Sequence, residues 1–194
     1  MRLITAGILG AAMLAASGQA GAATLTAQDY IDIEQLNARY AFAIDQCTNS
    51  GYDYADLYTD DGTFGVSEAW GDKGKTYAAG REALATVAGG GKGGCRDPKG
   101  TIGYGIKHVI TDHVITPTAE GAHGKSILLA FGVGGVATQV EHQGGYEDTY
   151  VKTDKGWRMK SRVHVFPNIA TSVQFGPLRQ KAAEDAKKQQ QPQQ

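Results

Sequence analysis

Asp45 is the first residue of this chain whose surroundings indicate chemistry. Ile33, Leu36 and Tyr40 recur at helical spacing just before it, which predicts a helix with one apolar face packed on a core. Asp45 does not lie opposite that face, so its carboxylate is predicted to be partly desolvated, as in a general acid or base. The same pattern also fits a helix that ends in solvent at Asp45.

The segment 106–113 is the second candidate, because it places two histidines on a predicted strand. Side chains alternate along a strand, so His108 and His113 are expected to point to opposite faces. Only one of them could then line an interior cavity. A metal site built from both is disfavoured, and we predict no metal site. The four histidines other than His108 are interpreted as structural or surface residues: His113, His123, His142 and His164.

The elements that must position these residues follow an order of helices first and strands after. A long helix is predicted from about residue 27 to 46, with Thr26 and Asp29 as a capping arrangement. Shorter helices are expected at 52–58 and 80–88, and a hairpin from 63–66 and 77–80. Four strands with short turns predict an antiparallel meander at 106–116, 125–133, 145–153 and 157–166. This is an α+β layout in which a curved sheet wraps around the long helix.

Bulk composition narrows the classes of function. The 194 residues include 41% hydrophobic residues and carry a formal charge of −1, as expected of one globular domain. No basic cluster with interleaved aromatic residues is present, so nucleic acid is not expected as a partner.

The two ends of the chain are expected to lie outside the folded domain. Arg2, an apolar run at 4–16 and the small residues at 20–22 predict a signal peptide over 1–22. The apolar run is shorter than the ~20 residues that span a bilayer. We therefore expect export, to the periplasm or outside the cell, and no membrane association after cleavage. The domain is placed at 24–178, and the Gln-rich segment 179–194 is expected to be disordered.

Export bears on the two cysteines, because an oxidising compartment allows thiols to pair. A disulfide between Cys47 and Cys95 would pin the Gly-rich segment 89–94 to the end of the long helix. Two free cysteines are the alternative, and two thiols without nearby histidines make an incomplete metal site. The segment 89–94 is interpreted as a flexible loop, either a lid over a site or a plain linker.

Several short motifs also follow one another in a characteristic order. They are residues 40–45, 57–64 and 80–84, then His108, then 146–150 and 156–162. This succession resembles the SnoaL-like branch of the nuclear transport factor 2-like superfamily. That branch includes scytalone dehydratase, hexachlorocyclohexane dehydrochlorinase and bile-acid 7α-dehydratases. The resemblance covers most of residues 27–166.

The resemblance implies a cone-shaped fold, in which a strongly bent antiparallel sheet encloses an apolar pocket that the long helix closes. It also implies a catalytic pair inside the pocket: His108 removes a proton, and Asp45 orients the ring and stabilises its cation. Arg162 is expected to assist the leaving group, with a structural pairing to Glu147 or Asp148 as the alternative.

Aromatic residues complete the site that the resemblance implies. Tyr40 and Tyr54 are candidates to polarise a substrate oxygen. The residues expected to contact substrate are Phe42, Tyr58, Trp70 and Tyr104. No cofactor is expected, and the partner is expected to be a small hydrophobic molecule. Because the outer sheet face of relatives builds oligomers, a homodimer or homotrimer is expected.

The resulting hypothesis is a cofactor-independent lyase of the dehydratase type, acting on a small apolar cyclic or aromatic molecule. Loss of formaldehyde from lignin-type aromatics and double-bond isomerisation use the same acid–base groups and stay open. A rival of another class is an exported protein that binds a small molecule without turnover. A third is a structural module for oligomerisation.

Overall fold

The computed structural model describes residues 24–96, 106–132 and 139–166. The expected signal peptide 1–22, the tail 179–194, the end of the domain at 178 and Tyr104 lie outside these residues. In the described part of the chain, no helix is both long and apolar enough to cross a membrane.

Helix α1 spans Ala27–Gln46, as the sequence predicted. Its start is fixed by a reciprocal cap: the Thr26 hydroxyl accepts from the Asp29 N–H, and the Asp29 carboxylate accepts from the Thr26 N–H. Its end is set at Cys47, whose φ of 48° is left-handed and cannot continue the helix.

A six-stranded, curved and unclosed sheet packs against α1. Its strands are β1 (Tyr58–Ser67), β2 (Lys75–Ala79), β3 (Ile106–Pro117), β4 (Gly121–Gly132), β5 (Gln139–Thr153) and β6 (Gly156–Val165). The spatial order is β2-β1-β6-β5-β4-β3. The predicted meander from β3 to β6 is confirmed. β1 and β6 are parallel, so the sheet is mixed where the two halves meet.

Short helices fill the connections before the meander. A 3-10 turn at Thr48–Gly51 leads into α2 (Tyr52–Ala55), and α3 (Arg81–Val87) follows β2. β1 begins earlier than the strand predicted at 63–66. Its pairing with β6 is irregular between the pairs Tyr58–Met159 and Thr63–Ser161.

The core lies between α1 and the concave face of the sheet. Ile33, Leu36 and Tyr40 of α1 are fully buried there, with Leu84 of α3 and Met159 of β6. A buried leucine or isoleucine side chain contributes ~1.5–3 kcal/mol of hydrophobic stabilisation, so this contact holds the helix on the sheet.

Asp29 makes a polar anchor at the N-terminal end of α1. Its Oδ1 accepts from the Trp157 indole N–H at 2.9 Å and from Lys152 Nζ at 2.7 Å. The bond to Lys152, with those to Thr26 and Trp157, holds the pKa of the Asp29 carboxyl well below its ordinary range. The carboxylate therefore joins the helix to the hairpin of β5 and β6.

Cys47 and Cys95 are joined by a disulfide, with their Cα atoms 6.1 Å apart. The Gly-rich segment beside it packs its backbone against the 3-10 turn at the end of α1. Gly91 N–H donates to Ser50 O at 2.8 Å, and Gly90 is so close that an added Cβ would lie 1.8 Å from the same oxygen. The glycines allow this close backbone approach.

Replacing Asp29 by Asn should lower the melting temperature by several degrees near neutral pH. A carboxyl with a depressed pKa contributes stability above its unfolded pKa of ~3.9 and loses it as the pH falls toward the folded value. The difference between wild type and Asp29→Asn should therefore shrink below about pH 4. Thermal unfolding at a series of pH values measures this, and a pH-independent difference would contradict it.

Removing the disulfide with the double substitution Cys47→Ala and Cys95→Ala should lower the free energy of unfolding by about 2–4 kcal/mol. The bond closes a loop across 48 positions of the sequence, and a cross-link restricts the unfolded chain more as its loop becomes longer. Urea unfolding of the oxidised protein and the variant tests this. Equal midpoints would show that the bond contributes nothing.

Candidate active site

Asp45 and His108 meet at the end of α1. His108 Nδ1 lies 2.6 Å from Asp45 Oδ1, and the His108 backbone N–H donates to the same carboxylate at 3.1 Å. The His108 side chain is 15% exposed, and the Asp45 side chain is 8% exposed. The Asp45 carboxylate, in the last turn of α1, is thus held by two hydrogen bonds from His108, near the start of β3.

This geometry assigns the ring nitrogens of His108 different roles. A carboxylate oxygen only accepts, so the proton of the neutral ring lies on Nδ1. Nε2 is then the nitrogen that can take a proton from a substrate. The ring of Tyr40 meets His108 edge-on, with centroids 6.2 Å apart and an interplanar angle of 86°. An apolar ring therefore lies against the pair.

His113 lies on the inner face of the sheet as well, which corrects the expectation that it points away from His108. Asp112 adopts a left-handed φ of 53°, and the pairing of β3 with β4 shifts register between Thr111 and Val114. This bulge adds one residue to the strand and reverses the alternation beyond it. The His113 side chain is 5% exposed.

Arg162 is fully buried and paired, as the structural alternative anticipated. Its Nε and Nη2 donate to the two oxygens of Asp148 at 2.8 and 2.7 Å, and Nη2 also donates to Asn37 Oδ1. Its guanidinium carbon lies 4.1 and 4.2 Å from the ring centroids of Tyr40 and Tyr146. Burial opposes its charge, but Asp148 raises the pKa of Arg162 well above its usual value.

Among the described residues, Nη1 of Arg162 has no hydrogen-bond partner. The faces of the Tyr40 and Tyr146 rings stabilise the cation instead. Arg162 touches Tyr40 and Tyr40 in turn touches His108, so the arginine lies one side chain away from the Asp45–His108 pair.

Tyrosines occupy the interior around the arginine. The hydroxyls of Tyr54 and Tyr58 are 3.0 Å apart, and Tyr40 donates to Tyr146 at 3.2 Å. Burial raises the pKa of Tyr54, Tyr58 and Tyr146 well above the ordinary value and also raises that of Tyr40. These phenols therefore stay protonated and can act as hydrogen-bond donors but not as bases.

Two residues expected to contact substrate lie elsewhere. Phe42 is 67% exposed and lines a groove of about 450 Å³ with Leu57 and Arg158, because it lies on the opposite side of α1 from buried Ile33. Trp70 packs over Gly145 on the outer face of the sheet. The expectation that Phe42 and Trp70 belong to the interior site is wrong.

Two polar residues of the interior were not predicted from the sequence, whereas Asp148 was anticipated as a partner of Arg162. Asn37 and Tyr150 are buried, and they bond Arg162 and Asp148, respectively. A signal was present for Asn37, which interrupts the apolar face of α1. The described residues include no group of three or more side chains suited to hold a metal ion.

A family model for the SnoaL-like domain matches residues 25–163. The chain belongs to the SnoaL-like family. The match runs from the cap of α1 to near the end of β6, so both Asp45 and His108 fall inside it. No curated protein shows significant similarity to this chain.

Solved structures agree on the fold. An NTF2-like protein with a cystatin-like fold from Novosphingobium aromaticivorans has 20% identity and a TM-score of 0.58, covering 78% of this chain and 88% of its own. A protein from the same organism, provisionally described as a scytalone dehydratase, has 22% identity and a TM-score of 0.52, covering 73% and 93%. A Mycobacterium tuberculosis protein of unknown function has 19% identity and a TM-score of 0.55, covering 83% and 90%. At these identities the likeness shows the NTF2-like fold alone.

Arg162→Met should lower the free energy of unfolding by about 3–5 kcal/mol, because it leaves the Asp148 carboxylate buried without its cation. The double variant with Asp148→Leu should recover part of that loss. Lys160→Met is the matched control, since Lys160 lies on the same strand but pairs with exposed Asp61; it should cost under about 1 kcal/mol. Urea unfolding gives all four values. A loss for Arg162→Met no larger than the control's would contradict the buried pair.

Proposed function

We propose that this protein is a cofactor-independent lyase of the dehydratase type, with His108 as the base and Asp45 as its orienting partner. The observation that carries the proposal is the 2.6 Å contact between His108 Nδ1 and Asp45 Oδ1 inside a family domain. The contact leaves Nε2 as the free base and keeps the ring in one orientation. The substrate class that suits these surroundings is a small apolar cyclic or aromatic molecule.

The reaction needs two proton transfers and the breaking of one carbon–oxygen bond. His108 Nε2 takes a proton from a carbon next to a carbonyl group, and the C–H electron pair forms the new double bond. The bond to the leaving hydroxyl breaks, and that oxygen leaves as water after receiving the proton from the imidazolium. The Asp45 carboxylate stabilises the imidazolium while it exists. A protonated phenol donates to the carbonyl oxygen as charge develops there.

The surroundings of the pair support this chemistry. Burial of the Asp45 carboxylate strengthens its electrostatic interaction with the His108 ring, since screening by water is weak there. Arg162 enters the proposal through Tyr40, whose ring it stacks on, rather than by touching His108. Export to the periplasm or the exterior is part of the proposal, and the Cys47–Cys95 disulfide supports it.

His108→Ala should lower kcat/KM for elimination about 10²–10⁴-fold, the usual contribution of a positioned base. The assay offers a panel of cyclic β-hydroxy ketones and follows the absorbance of the conjugated product. His123→Ala is the matched control, because His123 is an exposed histidine on β4 that lines the outer face; it should keep wild-type turnover. Product binding, followed by intrinsic fluorescence, should survive in His108→Ala. Equal turnover by wild type and His108→Ala would refute the role of the pair.

A second candidate is a binding protein without turnover. The observation in its favour is a cavity of about 520 Å³ on the outer face of the sheet, lined by Val114, Lys125 and Val163 among others and remote from His108. Its volume suits a small molecule. Ligand binding that survives His108→Ala in a protein with no elimination activity would favour this candidate. The expected homodimer or homotrimer stays a prediction under either function.

A further inference from the structure

A closed ring of hydrogen bonds lies beside the Asp45–His108 pair and does not include it. Asn37 Nδ2 is 3.0 Å from His113 Nδ1, and His113 Nε2 is 3.3 Å from the Tyr150 hydroxyl. Tyr150 donates to Asp148 at 2.6 Å. Arg162 closes the ring by donating to both Asp148 and Asn37.

Donor and acceptor roles fix the proton arrangement of this ring. Arg162 can only donate, so the Asn37 oxygen accepts from it and the Asn37 Nδ2 must face His113 as a donor. His113 Nδ1 then accepts, and the proton of the neutral ring lies on Nε2. Tyr150 accepts that proton while its own hydroxyl proton goes to Asp148.

Glu34 competes for the same nitrogen of His113. Its Oε1 lies 3.1 Å from His113 Nδ1, and a carboxylate only accepts. One nitrogen cannot accept from the Asn37 amide and donate to the Glu34 carboxylate at the same time. The neutral ring satisfies Asn37, and the protonated ring satisfies Glu34.

We propose that His113 is a proton-dependent switch that bonds Asn37 when neutral and Glu34 when protonated. Protonation leaves the Asn37 amide without its acceptor, and Asn37 also receives a hydrogen bond from Arg162. The pH of the solvent is thereby coupled to the hydrogen bond between Asn37 and the buried Arg162 guanidinium. The proposal stands whether or not the proposed elimination reaction is correct.

The neighbours of His113 allow it to respond to the pH of the solvent. The Glu34 side chain is 49% exposed, so it connects a 5% exposed imidazole to solvent. β4 contributes backbone only, since an added Cβ at Gly124 would lie 2.7 Å from His113 Nε2. The charged and titratable groups that face His113 are Glu34 of α1, Tyr150 and Asp148 of β5, and, beyond Asp148, Arg162 of β6. The two carboxylates favour the imidazolium, and the guanidinium opposes it.

Histidine-labelled full-length protein, followed by long-range ¹⁵N–¹H NMR from about pH 5 to 8, tests the switch. At the high end, His113 should carry its proton on Nε2. As the pH falls, both ring nitrogens should become protonated, and the side-chain amide signals of Asn37 should move with the same midpoint. A neutral His113 with its proton on Nδ1 would overturn the proposal.

Glu34→Gln should move the midpoint of His113 protonation down by about half a pH unit to one unit, because a half-exposed carboxylate partner is lost. Asp32→Asn is the matched control: it removes the same charge from α1, but Asp32 bonds Gln28 and not His113. Asn37→Asp should move the midpoint up, since it replaces the donor by an acceptor. Equal midpoints for Glu34→Gln and Asp32→Asn would overturn the switch.

Discussion

Helix α1 packs its inner side against the sheet away from water, and the polar groups it carries there are paired with strands. Asp29 bonds Trp157 and Lys152, Asn37 bonds His113 and Arg162, and Asp45 bonds His108. These three anchors are eight residues apart, which turns each by about 80° from the last and advances it by about 12 Å. They therefore step around the helix from the β5–β6 hairpin to β3, and a flat sheet could not meet all three. The curvature of the sheet and the position of the candidate active site follow from the same spacing.

The two polar networks of the interior, the Asp45–His108 pair and the hydrogen-bonded ring beside it, differ in their roles. The Asp45–His108 pair is small, lies at the end of the helix and leaves one ring nitrogen for chemistry. The ring that runs through Asp148 and Arg162 has its protons fixed by its members while His113 is neutral. Among the described residues, Nη1 of Arg162 is the one donor of this ring without a partner. Tyr40 stands between the two networks, stacked on the guanidinium and edge-on to His108. A change in the hydrogen bonds that position Arg162 would therefore act directly on Tyr40, the ring that borders His108.

Local patterns predicted the parts of the fold that local physics decides. The bounds of α1 follow from the Thr26–Asp29 cap and the break at Cys47, and the meander follows from strand-like runs with short turns. The direction of His113 could not be predicted, because the bulge at Asp112 is set by how two strands fit together. Phe42 and Trp70 were misplaced for a related reason: an aromatic side chain reads the same in sequence whether it packs inside a sheet, over its back or beside a groove. The partners of Arg162 lie up to 125 residues away in the chain, beyond the reach of any periodic pattern.

The central claim is that Asp45 holds His108 with Nε2 as the free base. The most direct measurement is the tautomer of neutral His108, read from long-range ¹⁵N–¹H correlations in the folded protein. In the wild-type protein we expect a proton on Nδ1, bonded to Asp45, and an unprotonated Nε2. In Asp45→Ala this preference should be lost. A neutral His108 that carries its proton on Nε2 in the wild-type protein would contradict the account.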